Sequence, residues 1–390
     1  MTKPPHTLDS RRVLIEATVD ATNRPYRPGN RITVYENGDT IFPAMLQAIR
    51  AARQSIEFCT YVYWKSDIAT KFADALIDRA KHGVTVRLLV DAVGGAVMDT
   101  RTLWRLERAG VQMAWFRPVR WPYIHKLNNR THRKILLVDE AVGFTGGVGI
   151  ADEWTGSAAD PAHWRETHCR IDGPACLDLR EGFAENWFDA THETLPPVTQ
   201  VPAPAGEIEV QTTISTAGRH RATPIDQLFS TVFTQVRRRL WITTAYFVPS
   251  EQISSQLLGA AARGVDVRII TNGPLTNHRV TRLAGRSTFG PLLAAGVNIY
   301  EYQPTVLHTK IMLADSQWAT IGSANLDGRS LVHNDELNIA FCEPGLVAQL
   351  EATFQQDQLR SRLVDPAAWA ARGGRERLAE WAASLVRNQL

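Results

Sequence analysis

Features that would identify several common protein classes are scarce in this chain. It has four cysteines among 390 residues, far apart and without metal-site spacing. Cys59 and Cys342 lie in apolar, strand-like runs, which is typical of reduced core cysteines, so we expect a cytoplasmic location. No apolar run reaches the ~18 residues that a membrane-spanning helix needs. The amino-terminal residues also lack the basic flank and apolar centre of a signal peptide.

Strong net charge is also missing. The formal charge is +3 at pH 7, and charged residues make up 21% of the chain. A nuclease is expected to carry a basic groove, so this composition argues against nucleic acid as the partner. Hydrophobic residues make up 44%, as in ordinary globular proteins, and the length leaves room for two domains that each have a core.

The informative feature that is present is a motif that occurs twice. The pattern His-x-Lys-x4-Asp is followed each time by a glycine-rich segment. Its two copies are His132, Lys134, Asp139 and His308, Lys310, Asp315. Because a strand sends residues i and i+2 to the same face, each histidine is expected to point the same way as its lysine. Two such pairs facing each other would place nucleophile, proton carrier and positive charge around a phosphodiester.

The similarity between the two halves extends beyond the motif. Three further blocks recur in the same order: 52–63 with 237–248, 79–94 with 261–274, and 102–118 with 288–304. The two histidines are separated by about one domain length. The sequence therefore predicts an internal duplication, with α/β domains at 1–194 and 208–390 and a proline-rich linker at 195–207. The expected fold has mixed sheets flanked by helices and one active site at the domain interface.

Local patterns predict individual elements. Apolar spacing indicates helices at 41–54, 68–82 and 101–109, the last two stopped by Gly83 and Gly110. Strands are expected at 56–64 and 84–92. The tail from Asp365 to Leu390 is predicted to be helical and to pack on the second domain. Its candidate packing residues are Trp369, Leu378, Trp381 and Leu385.

Both motifs and their flanking strings resemble the phospholipase D superfamily, and specifically the bacterial cardiolipin synthases. The supporting strings run nearly end to end and include HRKILLVDEAVGFTGG, LHTKIMLAD and GSANLDGRSLVHNDELN. The resemblance implies phosphatidyl transfer through a covalent phosphohistidine, with His132 as nucleophile and His308 as general acid. Phospholipids would be the substrates, phosphatidylglycerol among them, and cardiolipin the product. Two alternatives stay open: hydrolysis, as in a phospholipase D or another phosphodiesterase, and a catalytically silent lipid-binding relative.

The motif lysines and aspartates are expected to differ in role. Lys134 and Lys310 would donate to phosphate oxygens, since an unpaired lysine on a buried strand is otherwise costly. Asp139 and Asp315 fall in the turn after each strand, so we expect them to bond backbone and fix that turn. Because the lysines supply positive charge, no metal or other cofactor is expected.

In the second half the resemblance assigns three more site residues. Ser323 and Asn325 would supply a hydroxyl and an amide donor. Glu336 would hold the other ring nitrogen of His308, fixing its tautomer as the acid of a serine-protease triad does.

In the first half the match to the family pattern is weaker. Glu166 is expected to orient the first-half histidine, where the family usually has aspartate. Gly147 and Gly149 stand where the second half has its serine and asparagine. The missing amide puts in doubt how strongly the first half holds a phosphate oxygen.

A basic and aromatic stretch precedes the first motif and suggests a contact with an anionic membrane surface. Its residues are Arg117, Arg120, Lys126 and Arg130 with Trp115, Phe116, Trp121 and Tyr123. Such a loop could place aromatic rings at headgroup level and cations on lipid phosphates. An ordinary exposed loop is the alternative. Secondary candidates for binding a second phosphate are His278, Arg279, Arg282 and Arg286. We expect peripheral attachment to the inner face of the cell membrane; the oligomeric state is not indicated.

Overall fold

The computed structural model describes residues 10–118, 128–198, 200–218 and 222–387. The first half begins with helix α1 and alternates strands with helices. Its elements are α1 (Ser10–Thr22), β1 (Arg27–Glu36), α2 (Gly38–Ala51), β2 (Ser55–Thr60), α3 (Asp67–Lys81), β3 (Thr85–Asp91), α4 (Thr100–Arg108), β4 (Gln112–Phe116), β5 (Arg130–Thr131), β6 (Ile135–Val138), β7 (Val142–Gly146), β8 (Thr167–Asp172) and α5 (Cys176–Thr191).

The second half repeats this plan and adds a helical tail. Its elements are β9 (Ile208–Ser215), α6 (Pro224–Gln235), β10 (Arg239–Thr243), β11 (Phe247–Val248), α7 (Glu251–Ala262), β12 (Asp266–Asn272), α8 (Arg279–Arg286), α9 (Phe289–Ala294), β13 (Asn298–Tyr302), β14 (Ile311–Ala314), β15 (Trp318–Gly322), β16 (Leu326–Asp327), β17 (Asn334–Phe341), α10 (Pro344–Leu359), β18 (Ser361–Leu363), α11 (Pro366–Ala370) and α12 (Gly374–Ser384).

Helix boundaries follow the sequence signals closely. The hydroxyl of Ser66 accepts the backbone N–H of Ala69 and caps α3. Gly83 and Gly110, which follow α3 and α4, have φ of 84° and 90°, a conformation that glycine adopts without strain. The predicted helices at 68–82 and 101–109 are therefore confirmed to within one residue. The predicted helix at 41–54 begins and ends three residues earlier, as α2.

Sixteen of the eighteen strands in the described residues form one mixed sheet, and β11 and β16 form a separate two-stranded parallel sheet. The first half contributes the order β1-β8-β7-β6-β2-β3-β4, and the second half the order β9-β17-β15-β14-β10-β12-β13-β18. Strands β2, β3 and β4 are parallel to one another, as are β10, β12 and β13. The matching order confirms the duplicated α/β fold with a mixed sheet.

The two halves join edge to edge instead of forming separate sheets. Strand β1 pairs antiparallel with β9, with Arg27 opposite Val210 and Asn30 opposite Ile208. Helix α1 lies within the predicted first domain, yet its Leu14 is buried in the second half's core with α6. Which edge strands pair is a tertiary choice that side-chain periodicity does not encode, so the sequence did not predict the continuous sheet.

Alternation along each strand divides the first-half core between the two faces of the sheet. Val86, Leu88 and Val90 of β3 pack in the core beneath α2 and α3. Leu89 points to the opposite face, into a core that continues through both halves. Helices α5 and α10 contribute to this shared core, which holds the two halves in fixed register.

The carboxyl-terminal tail is helical, as predicted, but packs differently from the prediction. Trp369 of α11 is buried against Phe289. Leu378 and Trp381 of α12 and the following Leu385 are exposed, which contradicts their expected packing role. Helix α12 instead buries Ala383 against α8, and the buried carboxylate of Glu380 accepts hydrogen bonds from Arg286 and Arg372.

Candidate active site

The two motifs meet at one cavity of about 580 Å³ lined by residues of both halves. His132, Lys134 and His308 line it, and Lys310 is buried directly behind His308. Strands β6 and β14 follow the two histidine–lysine pairs and lie at equivalent places in the sheet. The duplication therefore brings together the two pairs that sequence spacing predicted to face each other.

Each histidine is held by a carboxylate from the other half, not from its own. Nδ1 of His132 lies 2.9 Å and 3.0 Å from the two carboxylate oxygens of Glu336. Nδ1 of His308 lies 2.7 Å from Oε2 of Glu166. The predicted pairing of Glu336 with His308 and of Glu166 with the first-half histidine is therefore wrong.

The strand arrangement explains this crossing. The segment before each histidine runs parallel to the segment before the opposite half's glutamate, through the β5–β17 pairing and a bridge between Arg165 and Leu307. The backbone N–H of His132 donates to the carbonyl of Asp335 at 2.8 Å. The backbone N–H of His308 donates to the carbonyl of Arg165 at 2.8 Å.

Glu336 is set up to stay ionised. Burial alone would raise the pKa of its carboxyl, but His132, Lys134 and the Ser323 hydroxyl together hold that pKa below its ordinary value. Ser323 donates its hydroxyl hydrogen to this carboxylate and accepts the backbone N–H of Leu337 at 3.0 Å. Ser323 is therefore a hydroxyl donor, as predicted, and the group that it supports is the carboxylate behind His132.

Glu166 lies in a different environment. Burial raises the pKa of its carboxyl to about 7, against the opposing charge of Lys310. Its supporting donors are the backbone N–H of Thr167, at 2.9 Å, and the indole N–H of Trp154, at 3.3 Å. A Cβ on Gly147 would lie 2.4 Å from Oε2 of Glu166, so glycine there leaves room for the carboxylate. The indole thus takes the place that the Ser323 hydroxyl has in the other half.

Gly149 has a similar explanation. A Cβ at this position would lie 2.9 Å from Cβ of Val62 and 3.1 Å from the ring of Trp154. The larger amide found in the second half, Asn325, would not fit beside that indole. The first half therefore has glycine in place of asparagine because the ring of Trp154 fills the space that the amide would need. The two halves of the site differ in this respect.

Both histidines are buried, and this sets their protonation. Burial lowers the pKa of His132 to about 4, with Lys134 and Lys310 lowering it further and Glu336 opposing them. Burial, followed by the charges of Lys310 and Lys134, holds the pKa of His308 well below its ordinary value. Near neutral pH both rings are therefore uncharged, and Nδ1–H of His132 donates to the ionised carboxylate of Glu336. Nδ1 of His308 lies between Glu166 and the amine of Lys310, which is 3.0 Å away.

The two lysines are also shifted by burial. Burial lowers the pKa of Lys134 to about 7 and that of Lys310 to about 8. The ammonium of Lys134 donates to the carbonyl of His132 at 2.8 Å, and that of Lys310 donates to the carbonyl of His308. An anionic substrate would favour the charged form of both groups.

The motif aspartates bond backbone, as predicted. The carboxylate of Asp139 accepts the N–H groups of residues 53–55 at 2.7–2.9 Å, and that of Asp315 accepts those of residues 237–239 at 2.7–3.1 Å. Both aspartates have positive φ, 50° and 55°, in the turn after the strand. They fix the entrances to β2 and β10, behind the histidines, and do not line the cavity.

The proposed membrane loop is only partly within the described residues. Arg120, Trp121, Tyr123 and Lys126 lie outside them. Arg130 is 1% exposed and donates to the carbonyls of Phe116 and Arg117. Phe116 is fully buried, and Arg117 pairs with Asp189 at 2.8 Å. The expectation that Phe116 and Arg130 lie at a lipid surface is therefore wrong, because both are buried.

The four residues predicted to bind a second phosphate differ in where the structure places them. Arg282 and Arg286 both bind Glu301, and Arg279 does not line the cavity. His278 does line it and packs edge-on against Tyr246. The structure therefore brings only His278 of this set to the cavity.

Several residues that line the site were not identified from sequence. Tyr61 packs edge-on against His132, and Tyr246 packs edge-on against His308. They occupy the same position in the repeated blocks 52–63 and 237–248, a signal that could have identified them. Trp154 and Trp164 pack against His308, but no sequence spacing indicated that these rings would reach the second-half motif.

Comparison with known proteins fits this geometry. Residues 45–187 and 230–358 match the family described as "Cardiolipin synthase, PLD-like domain". The chain belongs to this family. Among curated family members, the probable cardiolipin synthase YwiE of Bacillus subtilis is 31% identical over 97% of this chain and 76% of its own length. Cardiolipin synthase A of Pseudomonas aeruginosa is 35% identical over 88% of this chain and 70% of its own length.

The fold agrees with the family assignment. The phosphatidylserine synthase of Haemophilus influenzae has a crystal structure that matches 97% of this chain and 100% of its own at a TM-score of 0.75, with 13% identity. The chain is thus a cardiolipin synthase-like phosphatidyltransferase of the phospholipase D superfamily. Within the described ranges, no helix combines the length and apolar character needed to cross a membrane.

Proposed function

We propose that this enzyme transfers a phosphatidyl group between phospholipids through a phosphohistidine on His132. The acceptor is a second phospholipid, and the simplest outcome is cardiolipin formed from phosphatidylglycerol. The observation that carries the proposal is one cavity lined by two histidines, each with a motif lysine beside it and a buried carboxylate on its Nδ1. Relatives that are named cardiolipin synthases support the choice of substrate.

In the first step His132 attacks phosphorus. Its ring is neutral because burial lowers its pKa, and Glu336 holds the hydrogen on Nδ1, so the lone pair of Nε2 faces the substrate. The Nε2–P bond forms as the P–O bond to the leaving headgroup breaks. His308 gives its proton to that oxygen. The bound phosphate anion raises the pKa of His308, which favours the protonated ring while substrate is present.

In the second step the acceptor hydroxyl takes the place of the leaving group. Its oxygen bonds phosphorus, the P–N bond to His132 breaks, and His308 takes up the hydroxyl proton. Throughout, Lys134 and Lys310 neutralise charge on the non-bridging oxygens. Asn325, whose side chain lines the cavity, is suitably placed to contribute an amide N–H. This scheme assigns no step to a cofactor.

The cavity wall favours a lipid over a nucleic acid. Trp64, Trp154 and Trp164 line one side, where a nuclease would be expected to present a basic groove. Apolar side chains are also exposed in the segments that follow β3 and β12, which are equivalent in the two halves, and the second segment includes the first turn of α8. These are Val93 and Val97 in the first half and Leu275 and Val280 in the second. Such a surface suits reversible contact with the inner membrane leaflet.

The decisive experiment is incubation of the enzyme with labelled phosphatidylglycerol vesicles and chromatographic separation of the lipid products. Cardiolipin with released glycerol is the expected result, and His132→Ala should abolish it. Phosphatidic acid without cardiolipin would instead identify a phospholipase D. Tight vesicle binding with no turnover would identify a silent lipid-binding protein.

A further inference from the structure

Three buried side chains that line the cavity have polar atoms without a hydrogen-bond partner among the described residues. They are Nη1 of Arg130, Oδ1 of Asn325 and Oδ1 of Asn334. The three residues are 1%, 2% and 5% exposed. A buried donor or acceptor without a partner destabilises the folded protein, so the presence of three at one cavity needs an explanation. One donor and two acceptors that line one cavity are a complement for a ligand that carries both an anion and hydroxyl groups.

Two of these residues lie directly beside the first histidine pair. Arg130 precedes His132 by two residues, and Asn334 precedes Glu336 by two, so the strand period places each on the same side as its neighbour. Arg130 and Asn334 are themselves opposite each other in the β5–β17 pairing. They thus form one rung of this pairing, two residues before His132 and Glu336, which is roughly 6.6 Å along a strand.

The guanidinium of Arg130 is fixed in orientation. Its Nη2 donates to the carbonyls of Phe116 at 3.2 Å and Arg117 at 2.7 Å, and its Nε donates to the carbonyl of Asn129 at 3.1 Å. Asp91 lies 3.4 Å from Nε, where it also accepts three backbone N–H groups. Nη1 is the guanidinium nitrogen that makes no hydrogen bond. A preorganised guanidinium of this kind suits a phosphate.

Other charges near Arg130 do not cancel its attraction for an anion. Arg329 lines the same cavity, and its positive charge acts on Arg130. Asp327 also lines the cavity, but burial raises the pKa of its carboxyl to about 7, so its negative charge is only partial near neutral pH. The ion pair of Arg130 with Asp91 is neutral as a whole.

The equivalent positions of the other half are apolar. Val306 precedes His308 by two residues, and Trp164 precedes Glu166 by two. Both are 7% exposed and pack in the first-half core. The fold therefore does not require polar residues on this rung. Beside His308 the site therefore has Val306 and Trp164, at the positions where it has Arg130 and Asn334 beside His132.

We propose that Arg130, Asn325 and Asn334 form a subsite for the headgroup of the acceptor lipid, a glycerol phosphate. Nη1 of Arg130 donates to an oxygen of the acceptor's own phosphate, and the two amide oxygens accept from glycerol hydroxyls. The three-carbon glycerol bridge separates that phosphate from the attacking hydroxyl, which fits a spacing of one rung. This inference rests on the proposed function and specifies its acceptor as an anionic phospholipid with a free headgroup hydroxyl.

The test compares two soluble acceptors that differ only in the phosphate. Labelled glycerol and labelled glycerol phosphate are offered with unlabelled phosphatidylglycerol, and incorporation of label into lipid gives kcat/KM for each. The wild-type enzyme should prefer glycerol phosphate at least tenfold. Arg130→Met should bring that ratio close to one, because only the phosphorylated acceptor loses a contact. Arg117→Met, which removes a nearby guanidinium that does not line the cavity, should leave the ratio unchanged.

Controls keep the outcome decisive. If Arg130→Met does not fold, Asn334→Leu retains the guanidinium contacts and should raise KM for both acceptors without lowering kcat to the same extent. Equal loss with both acceptors in Arg130→Met, or a wild-type enzyme that does not distinguish them, would overturn the subsite. Unchanged KM in Asn334→Leu would do the same.

Absence of any label in lipid with the wild-type enzyme would refute the proposed transfer itself, a result separate from the others. Inhibition by inorganic phosphate that is lost in Arg130→Met without any acceptor preference would identify a free-anion site and also overturn the proposal.

Discussion

Each histidine of the site depends on a residue that belongs to the other half of the chain. Glu336 and Glu166 are both buried, but their environments differ, since a serine hydroxyl supports the first and a tryptophan N–H the second. Their pKa values are displaced in opposite directions. Pairs of carboxyls whose environments differ in this way often have different tasks in one reaction. The ionised Glu336 suits an attacking histidine, and the more neutral Glu166 suits one that exchanges a proton.

This difference predicts distinct defects for two matched substitutions. Glu336→Gln removes the charge that orients His132 and should slow formation of the phosphatidyl-enzyme about 100-fold or more, in line with losses at other histidine-orienting acids. Glu166→Gln should instead slow its breakdown, so that labelled enzyme accumulates in rapid-quench experiments with labelled phosphatidylglycerol. Glu301→Gln, a buried carboxylate outside the cavity, controls for general destabilisation. Accumulation in Glu336→Gln rather than Glu166→Gln would reverse the roles of the two histidines.

The depressed pKa values of the site also predict its pH dependence. As pH falls, kcat/KM should decline when His132, with its pKa lowered to about 4, becomes protonated and cannot attack. As pH rises, kcat/KM should decline because the two lysines lose their charge. The pKa of Lys134 is lowered to about 7 and that of Lys310 to about 8. The profile is therefore bell-shaped. Lys134→Arg, which stays charged, should move the alkaline decline of kcat/KM to higher pH. If the decline stays at the same pH in this variant and in Lys310→Arg, another group is responsible.

The motif residues could be predicted from sequence, whereas their partners could not. His132, Lys134 and Asp139 were accessible because strand period and motif spacing are local properties. The partner of His132 depends on which half's strand runs beside it, and that follows from the two-half assembly. Ser323 was predicted as a hydroxyl donor without an acceptor, since only the structure shows its hydroxyl on Glu336.

At the scale of elements, local sequence signals predicted where helices end and where strands lie. They did not predict which faces of the outer elements are buried. Periodicity identified α12 as amphipathic and predicted that its apolar face would pack. The helix buries Ala383 and Glu380 instead, because Arg286 and Arg372 offer partners for that carboxylate. The basic and aromatic loop was likewise assigned to the membrane, while the structure buries Phe116 and Arg130. Local composition does not reveal which face tertiary contacts will cover.

The exposed apolar side chains that follow β3 and β12 predict where the bilayer is contacted. The double variant Leu275→Ser, Val280→Ser removes two exposed side chains, each of which contributes on the order of 1 kcal/mol when buried in lipid. Cosedimentation with anionic vesicles should fall several-fold, while cleavage of a short-chain soluble phospholipid is retained. Leu378→Ser, Trp381→Ser on α12 is the matched comparison. Loss of vesicle binding only in the α12 variant would place the contact on the tail instead.

At the scale of the whole molecule, the continuous sheet makes the halves one cooperative unit. Strands β1 and β9 pair across the junction, α1 packs on the second half, and one core runs through both. Calorimetry should therefore show a single unfolding transition. Disruption of the β1–β9 pairing by Ile208→Pro, which removes a backbone N–H, is expected to lower the transition temperature and broaden the transition. Two resolved transitions in the wild-type protein would contradict this prediction.

Buried histidines give the molecule a specific sensitivity to acid. Burial lowers the pKa of His132 to about 4 and that of His168 to about 3, so both are neutral in the folded protein where the unfolded chain would be protonated. The unfolded state then binds more protons, and the free energy of unfolding should decrease as pH falls from about 6.5 towards these values. Denaturant titrations across this range measure the slope. His168→Gln should make it shallower, and an unchanged slope would assign the effect to other groups.

The crossed carboxylates have a consequence for the time at which the enzyme becomes active. The amino-terminal half leaves the ribosome first and already contains His132 and Lys134, but the carboxylate that orients this histidine is Glu336, which is synthesised much later. His308 in turn needs Glu166 from the part made earlier. In a partly synthesised chain the proposed nucleophile, His132, therefore lacks the carboxylate that orients it. The reaction becomes possible only when both halves have folded against each other.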